Sequence, residues 1–230
     1  MGRPTPPPAP VAPGLHVVRP GRVGYAQALA CQREAAEALR AGRGPETLFL
    51  LTHPPVVTMG RRATEEHVLF SREDLAARGV EVVETDRGGD VTFHGPGQVV
   101  GYPILDLRKR GLGAHTYLRF LERILIGVLA TYDIEAFCDP VHTGVWTTSG
   151  KIAAMGIRVS AGVSLHGFAL NANTDLAYFG LIVPCGIQGR AVASMQQILG
   201  RPVDMEELMD RIAAAFEATA PAEVQKESVA

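Results

Sequence analysis

Apolar positions along the chain change their period several times, and each change marks an element. From Tyr25 to Arg40, alanines recur with Glu and Gln at helical spacing until Gly42 and Gly44, which predicts a helix. TLFLLTH, Thr47 to His53, is a short continuous apolar run closed by Pro54-Pro55, the pattern of a buried strand. Ser71 with Asp74 predicts a capping box for a short helix ending at Gly79. Val80 to Glu84 and Val99 to Leu105 predict strands, and the glycine-rich stretch between them reads as neither element. From Thr116 to Thr131, Leu118, Leu121, Leu125 and Val128 form one helical stripe, with Phe120 and Ile124 beside it. Strands are predicted at Glu135 to Cys138, Gly144 to Thr147, Lys151 to Val159 and Val163 to Asn171. The last two are joined through Ser160-Ala161-Gly162, a link short enough for a tight hairpin. Asp204 with Glu207 caps a final helix from Met205 to about Ala218.

Hairpin-length links outnumber crossovers in this order of elements. The fold class that follows is α/β of the α+β type, a mixed, largely antiparallel sheet flanked by helices. Residues 1 to 14, with six prolines, read as a disordered tail. Residues 15–218 read as one catalytic-sized domain, and the polar stretch 219–230 as a loose C-terminal tail.

Composition narrows the function classes. The 230 residues are 47% hydrophobic and 20% charged, ample for a packed core. A net charge of −2 argues against a broad nucleic-acid surface. No apolar run reaches the roughly 18 residues of a membrane span. The N-terminal stretch lacks the apolar centre of a secretory signal, and Pro6 stands where a myristoylation signal wants Ser or Thr. Cys31, Cys138 and Cys185 are widely spaced with no CxxC pair, so neither a disulfide framework nor a zinc site is expected, and the cytoplasm is the expected compartment.

Three stretches carry candidate chemistry. In DRGGDVTFHGPGQVVGYPILDL, Asp86 to Leu107, glycines allow close backbone approach to a ligand. There Arg87 and His94 are candidate donors to a carbonyl or carboxylate; the alternative is a sharp corner whose Arg and His satisfy backbone carbonyls. No Walker pattern and no clean G-x-G-x-x-G follows a strand, which counts against a nucleotide enzyme. In TTSGKIAAMGIRVSAGVSLHGFALN, Thr147 to Asn171, small apolar residues after Lys151 invite its desolvation, and Ala154 and Gly156 leave room for a long apolar pocket. The competing reading is a lysine that snorkels to water. His166 alone reads as a hydrogen-bonded structural histidine. In VPCGIQGR, Val183 to Arg190, Cys185 sits between a residue that stiffens the backbone and one that frees it. It is either a loop filler or a nucleophile, which would need its pKa depressed from about 8.5. Two basic clusters, Arg61-Arg62 and Arg108-Lys109-Arg110, are candidates for docking an acidic partner.

Taken together, these stretches resemble the lipoyl(octanoyl) transferases, the octanoyl-[acyl-carrier-protein]–protein N-octanoyltransferases. The resemblance rests on Arg87-Gly88-Gly89, Thr92, Phe93, His94, Gly97, Gln98 and Tyr102, then GKIAAMGIRV, HGFALN and PCGI in order, preceded by HPPVVTMGR. It runs from about residue 15 to about 215. It implies the fold of the biotin/lipoate protein ligase catalytic domain. It implies Cys185 as the acyl-accepting nucleophile and Lys151 as its catalytic partner. Substrate-binding segments carry over to Arg87, Gly88, Gly89, Asp90, Val91, Thr92, Phe93 and His94, to Ala154, Met155 and Gly156, and to Gly167, Phe168 and Ala169. The implied reaction moves an octanoyl group from octanoyl-acyl carrier protein to a lysine of apo lipoyl domains, through an acyl-cysteine thioester and without ATP, cofactor or metal. The implied acceptors are the lipoyl domains of 2-oxoacid dehydrogenase E2 subunits and the glycine cleavage H protein, and the implied state is a monomer that binds neither nucleic acid nor membrane. The amide of Gly186, with His94 or Thr92, is the expected oxyanion site. The competing functions are an ATP-dependent lipoate ligase, a cysteine hydrolase using His94 or His166 as base, and a lipoyl-domain-binding module without catalysis.

Overall fold

The computed structural model describes residues 14–183 and 191–218. Its helices are α1 (Tyr25–Arg40), α2 (Arg72–Ala77), α3 (Ala114–Ala130), α4 (Met195–Leu199) and α5 (Met205–Ala218). Its strands are β1 (His16–Arg22), β2 (Thr47–Thr52), β3 (Val56–Met59), β4 (Glu81–Glu84), β5 (Val91–His94), β6 (Gln98–Ile104), β7 (Phe137–Cys138), β8 (Val145–Thr147), β9 (Gly150–Ser160) and β10 (Val163–Asn171). A seven-stranded sheet runs β1-β2-β6-β10-β9-β8-β7, and a three-stranded sheet runs β4-β3-β5. Only β1–β2 and β3–β4 pair in parallel, so the sheets are mixed and largely antiparallel, as the pattern predicts.

The two faces of the large sheet are covered differently. On one face Leu48, Leu50, Val99, Phe168 and Leu170 pack with Leu121 and Leu125 of α3 and with Leu208, Ile212 and Phe216 of α5. Burial of each such side chain is worth about 1.5–3 kcal/mol, more than the helix propensities of α3 and α5 supply. On the other face α1 lays Ala28, Ala36 and Leu39 against Val100, Tyr102, Ile104 and Leu165. The small sheet has its own core of Val57, Met59, Val91 and Phe93 under Leu75 of α2, Phe179 and Leu181. The β9–β10 hairpin turns through Ala161 and Gly162 with φ of 50° and 83°, both positive as a type I′ turn requires. No helix among the described residues is long and apolar enough to cross a membrane.

Four elements depart from the sequence pattern. VTFH, inside the stretch read as irregular, is strand β5: it pairs with β3 in the register Val57↔Phe93 and Met59↔Val91. Its alternation is real, with Val91 and Phe93 in the second core and Thr92 and His94 toward the site, but four residues between glycines are too short to stand out. Strand β1 is masked by Pro20 and Gly21, tolerated because it is an edge strand whose register shifts between Val18 and Gly21. After Pro54-Pro55 the chain resumes as β3 in the other sheet. Helix α4 has one clear signal, the Ser194 cap that accepts from Gln197 N–H.

Candidate active site

A pocket lies where the α1 side of the large sheet meets β5, the edge of the small one. Counted to its open mouth, solvent space included, it spans about 450 Å³. The floor is the middle of the β9–β10 ladder, where Ala154 faces Ala169 and Gly156 faces Gly167. Met155 and Phe168 border the pocket while packing into the main core. The small residues also bring backbones together. A Cβ on Gly167 would run into the Gly101 carbonyl of β6, and one on Gly156 would lie 2.7 Å from the Gly88 carbonyl oxygen. Gly88 N–H donates to Ile157 O of β9 at 2.9 Å, so the Arg87–Gly89 corner is pinned to the floor.

Arg87, Gly89, Asp90, Val91, Thr92 and His94 form the opposing wall, with Tyr25 and Tyr102 at the back. Gly88 and Phe93, expected with them, do not line it. Gly88 is spent on the backbone bridge, and Phe93 turns to the second core, stacked on Tyr178 at 4.6 Å between ring centroids. Buried Arg87 donates from Nη2 to Thr58 O at 2.6 Å, from Nε to Thr58 Oγ1 at 3.2 Å and from Nη1 to Gly88 O at 3.1 Å. The guanidinium thus satisfies backbone carbonyls, the alternative weighed from sequence, while bordering the pocket. Asp90 accepts from Val91 N–H at 2.7 Å, and its other oxygen lies 2.7 Å from Nδ1 of His67.

The back wall is aromatic and uncharged. His53 Nδ1–H donates to Val23 O at 2.6 Å, which leaves Nε2 to accept from the Tyr102 hydroxyl at 2.8 Å. Burial lowers the His53 pKa and raises that of Tyr102 well above its ordinary value, so both stay neutral. His94 stacks under Tyr25, and burial, reinforced by His53, pushes its pKa down to about 3. Gln98 Oε1 lies 2.8 Å from His94 Nδ1, and the Gln98 Nε2 donates to Phe93 O at 3.2 Å. Oε1 can only accept, so Nδ1 carries the hydrogen and Nε2 holds a lone pair. His94 therefore has no free N–H to offer an oxyanion, which corrects that expectation. Thr92 keeps its place on the wall. His166, with φ of 58° in mid-strand, donates from Nε2 to Asp86 at 2.7 Å and gives its backbone N–H to Gln32. Burial lowers its pKa against the pull of Asp86, so a neutral imidazole faces an ionised carboxylate, the structural role expected.

Lys151 does not line the pocket. It stands three residues before Ala154 on β9, about 10 Å along the strand. Its side chain is only 8% exposed, which rules out snorkelling, and Nζ lies 5.4 Å from the Trp146 ring centroid. Its backbone N–H donates to Ala191 O at 2.9 Å and its carbonyl accepts from Ala193 N–H at 3.0 Å. Cys185 and Gly186 lie outside the described residues. Cys31 is exposed on α1. Cys138 is half-buried, and burial with Glu122 nearby pushes its thiol pKa up. Of the basic clusters, Arg110 is bound to Glu46 at 2.5 Å and Arg108 and Lys109 lie beside Asp106, whereas Arg61 and Arg62 are exposed next to the wall through bonds to Arg87 O and Gly89 O.

Sequence reasoning had no reason to single out Tyr25, Thr58 or Asp86. Tyr25 is the only aromatic residue in α1, the one hint available; Thr58 and Asp86 act across gaps of 29 and 80 residues, to Arg87 and His166.

Residues 24–217 match the lipoyl protein ligase A/B catalytic domain. The octanoyltransferase of Alkaliphilus metalliredigens is 47% identical over 203 residues, 88% of this chain and 93% of that protein. The bi-partite lipoate protein ligase of Thermoplasma acidophilum superimposes with a TM-score of 0.65 at 15% identity, over 93% of this chain and 83% of that one. Biotin protein ligase of Aquifex aeolicus, in complex with biotin and ATP, does so with a TM-score of 0.53 at 13% identity, over 92% and 71%. At such identities the two structures speak for the fold alone, and that fold is the one implied from sequence. The chain belongs to the lipoyl protein ligase A/B catalytic domain family, and within it to the octanoyltransferases.

Proposed function

We propose that this octanoyltransferase takes its acyl group from the phosphopantetheine thioester of an acyl carrier protein, holds it on Cys185, and delivers it to a lysine of an apo lipoyl domain. In the first half-reaction the Cys185 thiolate attacks the thioester carbonyl. A new C–S bond forms, the old one breaks, and the departing carrier thiolate takes a proton from the Lys151 ammonium. In the second, the acceptor amine attacks the acyl-cysteine, a C–N bond forms, and Cys185 leaves as thiolate. Lys151, now neutral, takes the proton that the amine loses. Thioester exchange is nearly balanced and amide formation runs downhill, so ATP is not required.

The observation that carries this reading is the pairing of Lys151 with Ala191 and Ala193. It fixes the lysine's strand to the chain that begins six residues after Cys185. Val183, two residues before Cys185, is fixed as well, through its N–H to His67 O at 2.8 Å. The small-residue floor and the uncharged aromatic back wall of the pocket support the acyl half of the proposal, since a saturated chain offers only apolar area and shape. One incubation tests the whole. Octanoyl carrier protein and apo lipoyl domain are mixed with the enzyme without ATP, and all three proteins are weighed. Octanoylated acceptor is expected. Dependence on ATP would make the chain a ligase, free octanoate a hydrolase, and unchanged masses a binding module.

The floor supplies a second test. Gly156 and Gly167 are held by backbone contacts, so pocket length is better probed at Ala154, whose Cβ shares a face with Ala169. Ala154→Phe is expected to shift preference toward shorter acyl groups, by about 0.8 kcal/mol, or about fourfold, for each methylene excluded. Competition between hexanoyl and octanoyl thioesters reads the ratio. An unchanged ratio in folded protein would put the acyl chain elsewhere.

A further inference from the structure

One chain of buried side-chain bonds joins the pocket wall to the strand of Lys151. The Ala193 carbonyl can only accept, so Asn171 turns its Nδ2 toward it, at 3.1 Å. That leaves Asn171 Oδ1 to accept from Gln98 Nε2 at 2.9 Å, and Gln98 Oε1 to accept from His94. Each amide orientation follows from the one before it. At the other end Ala193 N–H donates to the Lys151 carbonyl. Asn171 is 3% exposed and occupies the last position of β10, opposite Gln98 in the β6 ladder. Its side chain thus bridges the sheet to the segment that follows Val192, which forms a parallel bridge to Lys151.

We infer that Asn171 is a positioning residue for octanoyl transfer: it holds Ala193, and through it Lys151, in fixed register with the His94 wall of the acyl pocket. It touches neither the reacting atoms nor the acyl chain. An apolar residue would fill the same space, but it would leave the Ala193 carbonyl and one N–H of the Gln98 amide unpartnered in the interior. The importance of Lys151 rests on the function proposed above, so the decisive readout is the lysine itself rather than turnover.

Asn171→Asp keeps the acceptor for Gln98 and replaces the donor with an oxygen that repels the Ala193 carbonyl. The turnover number is expected to fall about tenfold or more, while KM for the octanoyl donor stays within about threefold. The rate at which an amine-directed acylating reagent modifies Lys151, followed by peptide mass spectrometry with exposed Lys109 as internal reference, is expected to change by about threefold or more. Gln98→Glu breaks the same chain from the other side. Its carboxylate still accepts from His94 but turns the Asn171 amide over, so the same signature is expected, and it decides the matter if Asn171→Asp does not fold. Unaltered Lys151 labelling in either folded variant overturns the inference. So does a parallel loss in kcat and KM that merely tracks a lower Tm. If Lys151→Ala proved fully active, the proposed mechanism would fail, yet the labelling would still report on Asn171.

Discussion

Cys185→Ala is expected to abolish octanoyl transfer, by on the order of a thousandfold or more, while Cys31→Ala and Cys138→Ala stay near wild type. On the proposed mechanism, alanine removes the sulfur that carries the acyl group from the donor protein to the acceptor. Direct attack by the acceptor lysine would then require carrier and acceptor to occupy one site together. The other two thiols are poor substitutes. Cys31 is exposed on the outside of α1, away from the pocket lining. Cys138 has its thiol pKa raised by burial and by Glu122, against a smaller opposing effect of Arg119, so at neutral pH it remains the less reactive thiol form. After exposure to octanoyl donor alone, wild-type enzyme should gain one octanoyl group, mapped by peptide mass spectrometry to VPCGIQGR. The Cys185→Ala protein should gain none. An adduct on Cys31 or Cys138, or transfer that survives Cys185→Ala, would refute the covalent mechanism.

Much of the fold was legible because its signals are local. Tyr25 to Arg40 forms α1 with those same ends, since alanines favour the helix and glycines stop it within a few residues. Residues 150–171 form a hairpin whose turn needs only Ala161 and Gly162. Much of the pocket lining was legible as residues, from Arg87 to His94 and from Ala154 to Gly156, but not as a set of roles. Whether His94 donates or accepts depends on Gln98, four positions on, and Gln98 is in turn oriented by Asn171, 73 positions away. Nothing at His94 announces that. For Arg87 the sequence left open a donor to substrate or to backbone carbonyls, and only Thr58, on a strand the pattern hid, shows where two of its nitrogens go. Phe93 belongs to the signature, yet strand alternation sends it away from the pocket that Thr92 and His94 face. Such assignments are set by which strand lies beside which, and that information is spread over the whole chain.

Gly144→Ala is expected to lower both stability and activity, because Gly144 packs directly against the Lys151 side chain. Its φ of 127° lies in a region that residues with a Cβ scarcely enter. Its N–H donates at 2.8 Å to Oε1 of Glu122, a fully buried carboxylate whose other oxygen accepts from Arg119 at 2.7 Å, so the loop cannot simply swing outward. An added Cβ would sit 2.5 Å from Lys151 Cε and 2.6 Å from the Ala153 carbonyl oxygen. The lysine stem can move, but the carbonyl belongs to β9 where Val145 pairs with Ala153, and the sheet must then give way. Backbone strain and overpacking together suggest a loss of about 2–5 kcal/mol, or roughly 5–15 °C in Tm for a domain of this size. Octanoyl transfer should fall further than the folded fraction does, since the atom displaced first is on Lys151. The Lys151→Ala background separates the two clashes. Removing the stem relieves one, but φ and the Ala153 carbonyl remain, so most of the Tm loss should persist there. Gly127, exposed on α3 with nothing within 4 Å of an added Cβ, is the control, and its replacement by alanine should raise stability by about 0.5–1 kcal/mol. If Gly144→Ala were as well tolerated as Gly127→Ala, the close packing of this loop on Lys151 would not hold in solution.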